Sequence, residues 1–117
     1  LILKPMEDSF VKKVRMTIEA HLDDLDFNVE QLCQEVHVST SQLYRKMESL
    51  TGLSANKFIR LLRLKKAKQL LSERELSITS VAFDSGFSDP AYFARVFKKE
   101  FGMTPQEWRS KSAKCEV

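Results

Sequence analysis

The chain has little glycine or proline, three of each in 117 residues. Collagen-like and low-complexity disordered proteins need far more of both, and an all-β protein needs more tight turns than these residues supply. No apolar run exceeds a few residues, so no segment is built to span a bilayer. Leu1–Ile2–Leu3 is too short to be the apolar core of a signal peptide. There are two cysteines, Cys33 in a helical apolar pattern and Cys115 in a polar tail. They read as a buried thiol and a free thiol in a reducing cytoplasm, with a disulfide or a metal site as the alternative. Leu1 is not a start methionine, so the chain reads as cut from something longer, with an upstream regulatory domain missing.

What is present is an ordinary balance, 43% apolar and 30% charged residues. A chain of this length buries roughly two-thirds of its unfolded surface, enough for one modest domain over residues 1–117. The net charge of +3 hides an asymmetry: residues 1–38 carry −4 and residues 39–117 carry +7. A basic block of that size suits a polyanionic partner, although a charge run alone is usually a solvated face.

Helix starts are written in caps. Asn28 with Gln31, Ser39 with Gln42 and Thr104 with Glu107 have capping-box spacing; Ser54, Ser77 and Asp89 are further N-caps. Hydrophobic staples accompany five of the six: Phe27/Leu32, Val38/Leu43, Leu53/Phe58, Leu76/Val81 and Met103/Trp108. The pattern predicts an all-α chain of about seven helices: Met6–Leu22, Val29–Val36, Thr40–Leu50, Ala55–Leu71, Ile78–Ser85, Pro90–Phe101 and Pro105–Lys111. The tail Ser112–Val117 is expected to fray.

The chain also resembles itself. At an offset of 49, Phe27-Asn28-Val29 meets Leu76-Ser77-Ile78, Leu32-Cys33 meets Val81-Ala82, and Val38-Ser39 meets Phe87-Ser88. Beyond Asp89–Pro90 the offset is 50, so that Leu43 meets Phe93, Arg45 meets Arg95, Gly52 meets Gly102 and Phe58 meets Trp108. Each copy is short helix, tight turn, helix, glycine stop and a capped third helix, which is the helix-turn-helix plan. The expected layout is an N-terminal helix and first unit over 6–53, a long linker helix over 54–73 and a second unit over 76–112. Phe58 and Trp108 are expected as equivalent core residues. Gly86 stands in the second turn, where positive φ is cheap; His37 stands in the first. A turn residue is one reading of His37, and a ligand or pH sensor is the other.

A helical wheel then separates the faces. With Leu43, Met47 and Leu50 buried, Ser41, Arg45 and Glu48 face out, flanked by Tyr44 and Ser49. With Phe93, Val96 and Phe97 on one broad face, Ala91, Arg95 and Lys98 face out, flanked by Tyr92 and Lys99. Each helix shows solvent an arginine at a matched position with a small residue one turn earlier. Small residues allow close approach to a duplex, and arginine bonds guanine O6 and N7 in the major groove.

The run Ile78–Pro105 (ITSVAFDSGFSDPAYFARVFKKEFGMTP), with RLKKAKQLL at Arg63–Leu71 and SQLYRK at Ser41–Lys46, resembles the C-terminal DNA-binding domain of AraC/XylS-type transcription regulators. The segment from Ser9 to Asn28 and the Ser41–Lys46 run are similar to versions fused behind receiver domains in response regulators and hybrid sensor kinases. The resemblance covers about Val29–Arg109 and implies two helix-turn-helix units joined by a long helix. These would read successive major-groove segments of double-stranded DNA, about one helical turn or roughly 34 Å apart. It implies Ser41, Tyr44, Arg45, Ala91, Tyr92 and Arg95 as base-facing, and RNA polymerase as a further partner. Candidate phosphate contacts are Thr40, Lys46, Lys98, Lys99, and the helix starts at Ser54 and Thr104, with Lys65-Lys66 in reserve. No cofactor, metal, membrane contact or catalytic residue is expected.

Three rival classes meet the same residues. An enzyme would need a convergent acid, base or nucleophile, and His21 and His37 have no partner at motif spacing. Cys33 and His37 are two ligands, short of a zinc site. A protein-interaction module would use Trp108, Phe93 and Phe97 as partner contacts, yet their spacing reads as core. RNA binding would want an aromatic stacking platform, which is not evident.

Overall fold

The computed structural model describes residues 8–73 and 75–115, with side chains as far as Lys111. Among the described residues there are seven helices and no strand: α1 (Ser9–Ala20), α2 (Val29–Val36), α3 (Thr40–Thr51), α4 (Ala55–Leu71), α5 (Ile78–Asp84), α6 (Pro90–Phe101) and α7 (Pro105–Cys115). The all-α expectation is met. Two compact units share the chain: the residues up to His21 with Asp26–Leu62, and Leu22–Leu25 with Arg63 onward.

The caps form as the sequence implies. Gln31 N–H donates to Asn28 Oδ1 at 2.9 Å, and Asn28 N–H donates back to Gln31 Oε1 at 3.2 Å. The Ser39/Gln42 pair repeats this at 3.1 and 2.9 Å, and Thr104/Glu107 at 3.1 and 2.8 Å. Ser54 and Ser77 cap α4 and α5, and Asp89 caps α6.

The boundaries differ at five ends, one of them by a single residue where α3 runs past Leu50 to Thr51. α1 starts at Ser9 because Asp8 caps it, accepting Phe10 N–H at 2.8 Å; Met6 lies outside the described residues. It stops at Ala20, short of Leu22, where Asp23 and Asp24 would oppose the negative end of the helix dipole. α5 ends at Asp84, and Ser85 is fully buried with its hydroxyl donating to Val81 O at 2.7 Å. α7 continues to Cys115, so the backbone expected to fray from Ser112 is helical through that residue.

The repeat is visible in the backbone. The first turn places His37 at φ 60°, and Val38 N–H reaches back to Cys33 O at 3.1 Å. The second places Gly86 at φ 98°, and Phe87 N–H reaches Ala82 O at 2.9 Å. This is the six-to-one bond of a Schellman turn at the same register in both copies. The extra residue of the second copy is Ser88, which separates Phe87 from the cap Asp89.

In the first unit, Val11, Val14 and Ile18 of α1 are buried, as are Leu32, Cys33 and Val36 of α2 and Leu43 and Met47 of α3. Polar links tie α1 down. His21 Nε2 lies 2.8 Å from Glu35 Oε2 while its ring stacks on Phe27 at 4.6 Å, and Lys46 Nζ sits 4.6 Å over the Phe10 ring. In the second unit the core is an aromatic chain: Phe87–Phe93 at 5.1 Å, Phe93–Phe97 at 5.7 Å and Phe97–Phe101 at 4.7 Å. Arg109 of α7 closes this unit, its guanidinium donating to Leu71 O at 2.8 Å and Glu73 O at 3.2 Å at the end of α4. It satisfies carbonyls that a helix C-terminus leaves open.

Phe58 and Trp108 do not both sit fully inside, as the staple position suggested; each is half-buried. Trp108 meets Phe97 edge-on at 6.4 Å and carries Lys68 Nζ over its ring at 4.6 Å. Trp108→Ala and Phe58→Ala are therefore each expected to destabilise by about 2–3 kcal/mol, below the range for a fully buried aromatic. Urea unfolding of each variant measures this; an unchanged midpoint for Trp108→Ala would mean α7 is not packed on the second core.

The turn residues give a sharper contrast. A Cβ at Gly86 would lie 2.5 Å from Leu22 O and 2.8 Å from Arg63 Nε. The first obstacle is backbone, so Gly86→Ala is expected to destabilise by at least ~2 kcal/mol. At His37 relief of left-handed strain is opposed by the greater unfolded-state freedom of glycine, so His37→Gly is expected to shift stability by under ~1 kcal/mol. Thermal melts of the two variants decide; equal losses would refute the asymmetry.

Candidate nucleic-acid interface

The rotation of each second helix is fixed from its buried side. Leu43 and Met47 are fully enclosed, and this turns Ser41, Tyr44 and Arg45 of α3 to solvent. Phe93 and Phe97 do the same for Ala91, Tyr92 and Arg95 of α6. All six expected base-facing residues are exposed, Tyr44 at 39% and Tyr92 at 38%. One assignment on the wheel is corrected. Leu50, placed in the buried stripe, is 45% exposed. A wheel gives an angle and not how far neighbours reach along the axis, and Leu50 lies in the last turn before Gly52.

The two arginines stand in different settings. Arg95 Cζ lies 5.8 Å from the centroid of the Tyr92 ring, and that ring meets Phe87 at 6.3 Å. Three residues before Arg45 is Gln42, whose side chain is spent on the Ser39 cap.

Among the phosphate candidates Thr40, Lys46, Lys98, Lys99 and Ser54 are exposed and Thr104 is half-buried. Thr40 Oγ1 accepts a long 3.9 Å contact from the Cys33 thiol. Lys98 and Lys99 occupy the last turn of α6, where positive charge complements the helix dipole. The helix starts differ in sign. At α4 the Ser54 hydroxyl accepts Lys57 N–H at 3.1 Å, so the third residue is cationic. At α7 that place belongs to Glu107, whose carboxylate takes the Thr104 N–H. The Thr104 backbone and then side-chain hydrogen bonds hold the Glu107 carboxyl below its ordinary range. A phosphate at Thr104 would meet a carboxylate, whereas the third residue after Ser54 carries no negative charge. Of the reserve pair, Lys65 is exposed and Lys66 half-buried.

His37 is a turn residue: it ends α2 in the left-handed region with its N–H donated to Cys33 O. Cys33 is buried, and the side chain of Cys115 lies outside the described ones. Among the described residues no group of three or more His, Cys, Asp or Glu side chains could hold a metal ion. No helix there is long and apolar enough to cross a membrane.

The sequence reading missed Arg63. This guanidinium is half-buried under the Gly86 turn; burial pushes its pKa down, and Asp24 and Tyr92 oppose that by favouring its charge. Nothing in periodicity marks an arginine for burial; the only hint was a glycine that leaves room for one.

A family model described as a helix-turn-helix domain matches residues 32–111. The histidine kinase P4 of Formosa agariphila is 30% identical over 111 residues, 95% of this chain and 8% of its own length. The HTH-type transcriptional activator RhaR of an Enterobacter species is 39% identical over 89 residues, 76% of this chain and 32% of its own. The chain thus spans a minor part of these relatives. The crystal structure of the DNA-binding domain of AdpA, a global transcriptional factor, in complex with a target DNA is 28% identical with a TM-score of 0.78, covering 89% of this chain and 92% of that one. With two turn-linked helix pairs in register and a family model over most of its length, this chain belongs to the AraC-type family of helix-turn-helix DNA-binding domains.

Proposed function

We propose that the chain is the output module of a transcription regulator, reading successive major-groove segments of double-stranded DNA through α3 and α6. The observation that carries this is the matched pair Arg45 and Arg95. Both are exposed on helices that follow a left-handed turn, opposite fully enclosed residues that fix the helix rotation. Arg45 and Arg95 take bidentate contacts to base edges, flanked by Ser41, Tyr44 and Tyr92. Ala91 supplies close approach and apolar contact with a thymine methyl. Thr40, Lys46, Lys98, Lys99 and the start of α4 at Ser54 hold phosphates, which set register without reading sequence. The start of α7 at Thr104 is the least suited, because of Glu107. An upstream regulatory domain, contact with RNA polymerase, residence in the cytoplasm and the absence of catalysis complete the reading.

The charge of residues 39–117 makes the first expectation quantitative. Each phosphate neutralised contributes about −0.9 to the slope of log K against log salt on duplex DNA. A titration on a selected operator is expected to show a slope of several units; a flat line, or equal affinity for a single strand, is the result against it.

The arginines and lysines separate in a base-substitution scan. Arg45→Ala and Arg95→Ala are each expected to weaken the operator by about 1–3 kcal/mol and to erase preference in one segment, a different one for each. Lys98→Ala should weaken all sequences alike and reduce the salt slope. Uniform weakening by both arginine variants at every base pair would make them phosphate contacts instead.

A further inference from the structure

The guanidinium of Arg95 has a platform. Tyr92 is three residues earlier on the exposed face of α6, and Arg95 Cζ lies 5.8 Å from its ring centroid, within cation–π range. The ring is braced. Phe87, itself buried, meets it at 6.3 Å and a tilt of 51°. The Tyr92 ring thus touches both a buried core residue, Phe87, and the Arg95 guanidinium.

Among the described residues the first unit shows no equivalent at the matched position. The residue matched to Tyr92 is Gln42, and its side chain accepts Ser39 N–H at 2.9 Å as the third residue of the capping box. Tyr44 immediately precedes Arg45, and neighbours in sequence on a helix project about 100° apart. A long arginine side chain loses up to about 2 kcal/mol of rotamer freedom when it is fixed on a base. A ring that already restricts the fork removes part of that loss.

We propose that Tyr92 is a positioning residue that pre-orders the Arg95 fork, so that α6 discriminates bases more sharply than α3. This rests on the reading of α6 as a base-reading helix. A cation–π contact at an exposed site corresponds to a factor of about 2–5 in binding.

The test uses Tyr92→Phe, which keeps the ring without the hydroxyl, and Tyr92→Leu, which keeps apolar bulk against Phe87 without the π face. Each is combined with wild-type Arg95 and with Arg95→Ala. On the selected operator, Tyr92→Leu is expected to reduce discrimination about 2- to 5-fold at the base pair whose preference Arg95→Ala erases. Tyr92→Phe should retain that discrimination, the Arg45 segment should be unaffected, and Tyr92→Leu should add nothing once Arg95 is alanine. In the DNA-free protein, the Arg95 Nε–H resonance should show a ring-current shift in wild type and Tyr92→Phe that Tyr92→Leu abolishes. Loss by Tyr92→Phe equal to that by Tyr92→Leu, or loss that persists without Arg95, would overturn the proposal, since the phenol would then act on DNA itself. An Arg95-dependent preference untouched by Tyr92→Leu overturns positioning alone. If Arg95→Ala erases no preference, the reading of α6 fails first and the proposal with it.

Discussion

The turn within each helix pair depends on one residue in the left-handed region. His37 and Gly86 reverse the chain between two short helices, and the six-to-one bond that follows fixes where the next residue lies. Val38 and Phe87 are thereby delivered at the same register, immediately before the cap that starts the second helix in one unit and two residues before it in the other. Without that reversal the apolar stripe of α2 could not close on α3, nor that of α5 on α6. The two solutions carry different strain. The first accepts a Cβ at φ 60° and stays exposed. The second is closed in by Leu22 O and Arg63, so only hydrogen fits at that α-carbon. A turn that must be crowded from outside demands glycine; an open turn tolerates histidine.

Caps at Ser39 and Asp89 begin the second helices, and two fully enclosed residues per helix, four apart, set the angle. What reaches solvent is then decided by 3.6-residue geometry alone. Arg45 and Arg95 lie opposite the core because Leu43/Met47 and Phe93/Phe97 lie in it. The reading surface is therefore a by-product of packing, and a change in either pair would misdirect arginines it never touches.

Much of this was legible because it is local. Caps, staples and the 49/50 offset are written within a few residues, and three of the seven helices begin and end where the pattern places them. Both exposed faces also follow from local periodicity. What escaped depends on residues far apart in sequence. Arg109 closes carbonyls of Leu71 and Glu73, more than 30 positions earlier. Lys46, read as a phosphate ligand, also has Phe10 beneath it, and Arg63 lies under a turn it does not adjoin. The exposure of Leu50 and the half-burial of Phe58 and Trp108 are failures of another kind. Periodicity assigns a direction to a side chain and does not report whether anything stands there to cover it.

The two units share a plan and differ in the chemistry that holds it. Both capping boxes of the first unit end in glutamine, Gln31 and Gln42, whose amides keep their hydrogen bonds at any pH. The box of α7 ends in Glu107, an ionised carboxylate stabilised by the Thr104 hydrogen bonds. A carboxyl held below its ordinary range stabilises the folded state at pH above that range, and the contribution is lost as pH falls through the lowered value. The matching place at the start of α4 holds Lys57 instead of a carboxylate. One repeat was duplicated in plan, but the sign at the third helical position differs between copies. Under the proposed reading, that sign separates a helix start suited to holding a phosphate from one suited to closing the fold.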